Sequence, residues 1–335
     1  MAADMAAQPA TLAALVDARA RIVGSLRSTL RPPPAGAVIV GRGSSDYAAV
    51  FGRYALEAAI GRPVALAAPS LTTLYDVELD LRGWLAVGVS QSGRTPEVAA
   101  VLSAYADAGA RTVAITNERE SPLARAADAV VELGAGVEAA VPATKTFTAE
   151  LVAFALIAEA LGRTGLMASA WSALPDAVAR LLADPEPAEL AAARLADAAG
   201  LACVARGHLL CIALEAAFKL REAAGLRAEG WSAADFRHGP VTVAGADLPL
   251  LAVSAAGPAA ADVAELADRL ERTGTPVLRL SPSAIADLPL DPSLPEPLAT
   301  VPAAVRAQQL ALALALRRGV NPDRPPGLSK VTPTA

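Results

Sequence analysis

The chain has 335 residues, of which 54% are hydrophobic and 19% are charged, and its formal charge is −5. This length predicts two lobes, and the apolar content excludes a disordered chain. The negative charge weighs against nucleic acid as a partner, but it leaves a single phosphate ester open, because local dipoles and one or two cations hold such a group.

Targeting and redox signals are weak in this sequence. It contains no apolar run of about eighteen uncharged residues, and Asp4 lies where a signal peptide needs positive charge. We therefore expect a soluble, cytoplasmic protein. Cys203 and Cys211 lie in or beside apolar stretches without metal-ligand spacing, so buried free thiols are expected instead of a disulfide or a metal site.

The first half alternates short apolar segments with helical patterns. Residues 1–30 predict a helical arm, which the three prolines at 32–34 end. Strands are expected at residues 37–40, 63–67, 84–89, 112–116 and 129–133, and helices at 47–60, 98–108 and 147–161. Five strands interleaved with helices indicate one α/β lobe with a parallel sheet.

Two polar turns follow strands of this lobe. Gly43-Ser44-Ser45 follows the first strand, and Ser90-Gln91-Ser92-Gly93-Arg94-Thr95 follows the third. Small hydroxyl residues between a strand and a helix direct N–H groups and hydroxyls to one point, which favours an anion such as phosphate. Ligands of doubly wound sheets bind at this edge, so both turns are expected to face one ligand. The alternative is an ordinary turn with Thr95 as N-cap and Pro96 at the first helical position.

The second half repeats this pattern. Residues 163–197 predict a helical connection that breaks at 184–187. Strands expected at 200–205, 249–254 and 276–280, with helices at 211–224 and up to Arg272, parallel the first lobe. The turn Ser254-Ala255-Ala256-Gly257 lacks the central polar side chains of the Ser90 turn. We therefore expect one anion-binding site per chain, in the first lobe, and call it the anion seat.

Candidate catalytic groups lie in the second half. Glu215, Lys219 and Glu222 follow one another at spacings of four and three, which places them on one face of a helix. The alternative is a surface stripe with a weak i,i+4 ion pair. His238 lies in the irregular segment 236–240 and can exchange a proton near neutral pH, unless it is a surface loop residue.

Two further features have two interpretations each. The proline-rich residues 321–330 predict either a disordered end or a flap that closes Lys330 over a phosphate. His208, at a turn directly after a strand, is either a cap or core-edge residue or a functional group.

Together these segments resemble the tandem sugar isomerase (SIS) family, specifically the isomerase half of glucosamine-6-phosphate synthase and its free-standing relatives, over nearly the whole chain. The motifs that carry the resemblance are Gly43-Ser44-Ser45, Ser90-Gln91-Ser92-Gly93-Arg94-Thr95, Ala143-Thr144-Lys145-Thr146-Phe147-Thr148, Glu215 through Glu222, Arg237-His238-Gly239-Pro240 and Leu328-Ser329-Lys330. It implies an α/β fold of two flavodoxin-like SIS lobes, each a doubly wound, parallel, five-stranded sheet with helices on both faces. The implied divisions are an arm (1–34), a phosphate-binding lobe (35–165), a helical connection (166–197), a catalytic lobe (198–320) and a tail or lid (321–335).

The resemblance also assigns roles to individual residues. The implied substrate contacts are Ser44, Ser45, Ser90, Gln91, Ser92, Thr95, Thr144 and Lys219. Glu222 corresponds to the proton-shuttling glutamate, His238 to a ring-opening histidine that the neighbouring subunit supplies, and Lys330 to the lid lysine. The resemblance thus implies a homodimer with a shared active site and a sugar-phosphate substrate. It implies no metal, cofactor, nucleic acid or membrane.

The expected reaction is the conversion of glucosamine 6-phosphate and water to fructose 6-phosphate and ammonia. Glutamine-dependent synthesis is not expected, because no glutaminase segment and no cysteine precede Cys203. Arg94 replaces a family glutamate and Ala143 a family serine, which leaves the sugar open. The alternatives are an isomerase or deglycase for another amino sugar phosphate, and a sugar-phosphate sensor without turnover. The arm before Pro32 is too short to be the DNA-binding domain that such sensors usually carry.

Overall fold

The computed structural model describes residues 1–328 and 330. They divide into two compact units with a sheet each. The first unit comprises Ala10–Glu138 and Lys145–Gly165, and the second comprises Met1–Pro9, Ala139–Thr144 and Leu166–Lys330.

The first unit is built on a parallel sheet of five strands. These strands are β1 (Ala37–Val40), β2 (Val64–Leu66), β3 (Leu85–Val89), β4 (Arg111–Thr116) and β5 (Ala129–Glu132), in the order β2-β1-β3-β4-β5. The helices of the arm and of this unit are α1 (Ala2–Ala6), α2 (Gln8–Asp17), α3 (Arg19–Thr29), α4 (Ser44–Ile60), α5 (Pro69–Thr73), α6 (Pro96–Asp107), α7 (Pro122–Arg125) and α8 (Lys145–Leu161). Every residue of β1 and β3 is buried, as expected for central strands of a parallel sheet.

The second unit repeats this architecture. Its strands are β6 (Gly200–Ala205), β7 (Arg227–Ser232), β8 (Leu250–Val253), β9 (Val277–Ser281) and β10 (Leu288–Pro289), in the order β10-β9-β8-β6-β7. Its helices are α9 (Ala168–Ala183), α10 (Glu186–Arg194), α11 (Leu210–Ala224), α12 (Ala233–Phe236), α13 (Ala260–Arg272) and α14 (Glu296–Arg317). Counted within each unit, both sheets have the strand order 2-1-3-4-5. The predicted fold of two tandem flavodoxin-like α/β lobes is confirmed.

Helix α14 is long and apolar enough to cross a membrane by length and composition, and 89% of its apolar window is buried inside the protein. Arg306 on this helix is 2% exposed and donates from Nη1 to the carbonyl of Asp184 at 2.6 Å. A helix that buries an arginine against neighbouring backbone is a core helix of its own unit.

Some elements differ from the prediction. Helix α4 begins at Ser44 instead of residue 47, so Ser44 and Ser45 lie in its first turn and not in a loop. The sequence analysis also missed β7, β10 and α14. Strand β7 was not predicted because its sequence contains no apolar run. It lies at the edge of the sheet, where most of its residues are not buried.

The cysteines provide a test of the second unit's core. Both are free and fully buried, as predicted, and burial raises the pKa of Cys203 to about 12 and that of Cys211 above its usual range. Because the thiolate is the reactive form, we expect no reaction of either thiol with Ellman's reagent at about pH 8 while the protein is native. Both should react after unfolding in guanidinium. Stoichiometric labelling of the native protein, at a rate independent of unfolding, would contradict the burial of these thiols.

Candidate functional site

The strand order of the first unit defines where a ligand belongs. The winding direction reverses between β1 and β3, and doubly wound sheets bind their ligands outside the carboxyl ends of the strands at this switch point. The turn 41–43 follows β1, and the turn 90–95 follows β3. Both predicted turns therefore flank one crevice.

An ion pair spans this crevice. Arg42, in the turn after β1, donates from Nε to Oε2 of Glu97 in the first turn of α6 at 2.7 Å. The Glu97 hydrogen bond raises the pKa of Arg42. In the first turn of α4, burial raises the pKa of Asp46. The pair between Arg42 and Glu97 fixes the two turns relative to each other.

The backbone of the Ser90 turn has several N–H groups available for an anion. Two of its carbonyls accept hydrogen bonds from outside the turn: Gln91 O accepts from Asn117 N at 3.0 Å, and Gly93 O accepts from Leu123 N at 3.1 Å. Within residues 1–328 and 330, the N–H groups of Gln91, Ser92 and Thr95 donate to no protein acceptor. Neighbouring donors of this kind before a helix form an anion seat.

Hydroxyl groups complete this seat. Ser90 Oγ and Thr95 Oγ1 lie 3.1 Å apart, and either can donate to the other. Thr95 occupies the N-cap position of α6 and Pro96 the first helical position, but the Thr95 side chain makes no capping hydrogen bond. The ordinary-turn alternative is therefore correct for the backbone and wrong for the Thr95 hydroxyl. Ser92 Oγ accepts from Arg94 N at 3.2 Å, which leaves its own hydrogen available to a ligand.

Three other predicted contacts have different surroundings. Ser45 is buried in the first turn of α4, and its hydroxyl donates to Oε1 of Glu150 on α8 at 2.8 Å. Ser44 is half-buried at the start of the same helix. Thr144 is fully buried in the second unit, where its carbonyl accepts from Gln308 Nε2 at 3.2 Å.

The predicted charged stripe of α11 is buried. Glu215 is 1% exposed and Lys219 is fully buried. The Lys219 ammonium lies 3.5 Å from Glu215 Oε1 and forms a short hydrogen bond with Glu222 Oε2. The Glu222 side chain is 13% exposed. The surface-stripe alternative is therefore wrong, because a buried ammonium requires carboxylate partners to offset its lost hydration.

The remaining candidates lie elsewhere in the second unit. His238 is exposed in the turn after α12, and within the described residues no hydrogen bond or ion pair joins it to Lys219 or Glu222. Lys330 donates from Nζ to the carbonyl of Ala140 at 2.7 Å, so this part of the tail packs against its own unit instead of forming a free end. Ser329 and residues 331–335 lie outside the described residues. Among residues that the structure describes, no group of three His, Cys, Asp or Glu side chains is placed to hold a metal ion.

Sequence reasoning missed Arg42 and Glu97. The signal that reveals them is the internal repeat: Arg42-Gly43 recurs as Arg206-Gly207, and Glu97 recurs as Asp262 in the first turn of α13. Arg206 Nη1 indeed lies 2.9 Å from Asp262 Oδ2. Glu150, the partner of Ser45, has no comparable signal, because it lies within an apolar helix far away in the sequence.

The fold and this geometry define a two-lobed α/β protein with a candidate anion site in its first lobe. Residues 35–160 match the family model of the SIS domain. A candidate phosphosugar isomerase from Silicibacter pomeroyi DSS-3 has a crystal structure that is 31% identical, covers 96% of this chain and 99% of that chain, and gives a TM-score of 0.87. The chain belongs to the SIS family.

Two other relatives extend the comparison. The glutamine–fructose-6-phosphate aminotransferase of Gloeobacter violaceus is 31% identical in an alignment of 312 residues, and the match covers 87% of this chain and 51% of that protein. The chain thus spans about half the length of the curated relatives it matches. The glucosamine-6-phosphate deaminase of Thermotoga maritima is 22% identical, with a TM-score of 0.76 over 98% of this chain and 100% of that chain, and it shares the fold.

Alanine substitutions at two glycines distinguish two effects. One is the stability cost of a side chain on a left-handed residue, and the other is displacement of the Ser90 turn. Gly93 has φ +59°, and a Cβ there would lie 2.1 Å from Ser121 Oγ, whereas Gly61 has φ +62° and open space around it. We expect Gly93→Ala and Gly61→Ala both to lower stability by about 1 kcal/mol for the backbone. Only Gly93→Ala must also displace the turn, and it should weaken phosphate binding roughly tenfold or more, which corresponds to about 1.4 kcal/mol. Calorimetric titration with inorganic phosphate measures this difference. Equal phosphate affinities of the two variants would contradict the seat.

Proposed function

We propose that the protein is a sugar-phosphate isomerase and deaminase that converts glucosamine 6-phosphate and water to fructose 6-phosphate and ammonia. The observation that carries this proposal is the Ser90 turn at the switch point, which has two neighbouring hydroxyls and three N–H groups without a protein acceptor among the described residues. Membership of the SIS family and the likeness to a candidate phosphosugar isomerase support a sugar as the rest of the ligand. Holding the remote phosphate would orient the reacting carbons.

The ion pairs of α11 support a proton-transfer role for Glu222. A general base must be positioned and accessible. The Lys219 ammonium donates to Glu222 Oε2 and so holds this side chain in place, and the 13% exposure of the side chain leaves an edge for a ligand. Glu215, at 1% exposure, lacks such an edge. Glu222 would carry a proton between C2 and C1 through an enolamine, and hydrolysis of the resulting imine would release ammonia.

His238 and Lys330 have supporting roles in this proposal. An exposed imidazole can move a proton between the sugar hydroxyl and the ring oxygen and so open the ring. Lys330 would act as the lid lysine. We also propose that the protein works in the cytoplasm as a homodimer in which His238 serves the site of the neighbouring subunit.

One observation favours a second candidate function. Arg94 is exposed beside the seat, and its guanidinium has no hydrogen-bond partner among the described residues. A cation at this position can bind an anionic group of a different sugar phosphate, on which the same catalytic groups would perform isomerisation or deglycation. Binding of sugar phosphates without any turnover would instead support the sensor alternative.

A coupled assay of ammonia and fructose 6-phosphate tests the proposed reaction. We expect Glu222→Gln to lower kcat by about 10² to 10⁴, because the amide cannot accept the proton, while sugar-phosphate binding remains. The matched control is Glu265→Gln, which makes the same change at an exposed glutamate of α13. Full turnover by Glu222→Gln would refute the assignment of the base.

The shared site predicts complementation between two inactive variants. In a mixed dimer of Glu222→Gln and His238→Ala chains, one of the two sites regains both native residues if the histidine comes from the neighbouring subunit. We expect about half of the wild-type activity in mixed dimers purified through two different tags. No recovery of activity would show that Glu222 and His238 of one chain serve the same site.

A further inference from the structure

The segment 139–144 is held by three other parts of the second unit. The start of the arm, this segment and the chain from Leu166 onward all belong to that unit. At the end of the segment, the carbonyl of Thr144 accepts from Gln308 Nε2 on α14 at 3.2 Å. At its beginning, the segment contacts helix α1 of the arm and the tail, and these contacts concern Lys330.

The carboxylate of Asp4 on α1 binds the backbone at the beginning of the segment. Asp4 is 6% exposed, and its Oδ2 accepts from Ala140 N at 3.1 Å while its Oδ1 accepts from Ala139 N at 3.4 Å. Ala140 is 1% exposed, so its N–H requires an acceptor within the protein. A carboxylate accepts with both oxygens, whereas an amide of the same shape accepts with one oxygen and turns a donor toward the other N–H.

The tail binds the next peptide group on both of its edges. Val141 N donates to the carbonyl of Asp323 at 3.0 Å, and the carbonyl of Ala140 accepts from Lys330 Nζ at 2.7 Å. This N–H and this carbonyl belong to one planar trans peptide group, so they point in opposite directions. The orientation of the group therefore determines where Lys330 docks, and Asp4 holds the peptide group directly before it.

We propose that Asp4 is a positioning residue for Lys330. By binding the N–H groups of residues 139 and 140, Asp4 orients the carbonyl on which the Lys330 ammonium docks. Docking restricts a long side chain to one place before the sugar binds, which reduces the entropy that binding would otherwise cost. The catalytic part of this inference rests on the proposed function, in which Lys330 is the lid lysine. The docking part rests only on the hydrogen bonds described above.

Limited proteolysis with trypsin measures the docking. Trypsin binds a lysine side chain in its specificity pocket, so a docked Lys330 resists cleavage, and Pro325 prevents cleavage after Arg324. We expect Asp4→Asn to speed cleavage after Lys330 at least about tenfold, because cleavage follows the undocked population. Asp4→Glu keeps both oxygens and should restore most of the protection.

The matched control for this proteolysis is Asp17→Asn, which makes the same change at an exposed residue of the arm and should leave the cleavage rate unchanged. Equal cleavage rates for wild type and folded Asp4→Asn would overturn the proposal. If Asp4→Asn does not fold, Asp4→Ser removes the carboxylate without adding an amide, and the same comparison of rates decides.

Turnover distinguishes positioning of Lys330 from a general loss of structure. Asp4→Asn should lower kcat/KM about tenfold in the wild-type background and less than about twofold in Lys330→Ala, because without the lysine there is nothing left to position. Equal losses in both backgrounds would show a merely structural role and would overturn the proposal. If wild type does not convert glucosamine 6-phosphate, the proposed function fails, while the trypsin comparison still decides whether Asp4 positions Lys330.

Discussion

The reversal of winding direction between the two central strands governs both sheets of this protein. At that point the connecting helices leave toward opposite faces, and a crevice opens at the carboxyl ends of the strands. In each unit an arginine after the first strand crosses the crevice to a carboxylate in the helix after the third strand. Arg42 is 39% exposed, so its ion pair with Glu97 adds little to stability. Its effect is positional, because it holds one polar turn opposite the other.

Buried charge is the second organising feature. The fully buried Lys219 carries two glutamates within ion-pair distance on the same helix. Removing charges from water is costly, and their mutual attraction offsets that cost only with close partners. Replacing such a buried cluster by apolar residues is often neutral or stabilising, so these ion pairs are weak evidence of a contribution to stability. What they do fix is the position of the Glu222 side chain beside Lys219.

The sequence predicts the central strands well because buried parallel strands are continuous apolar runs. Strands β1 and β6 occupy the predicted residues 37–40 and 200–205. The half-polar edge strand β7 and the two-residue β10 carry no such signal. At the site, the Ser90 turn was predictable from local chemistry. The hydrogen bond between Ser45 and Glu150 was not predictable, because it joins residues 105 positions apart. The helical pattern of α11 could not show which face of that helix is buried.

The close approach at Gly93 has a consequence for how the two halves of the chain diverge. A Cβ at Gly93 would lie 2.1 Å from Ser121 Oγ, and a Cβ at the corresponding Gly257 would lie 2.0 Å from Glu296 Oε2. Both positions thus exclude a side chain, although the groups that exclude it differ. Each half of this internal duplication requires its glycine for a steric reason of its own, so the two turns can drift independently around a shared backbone path.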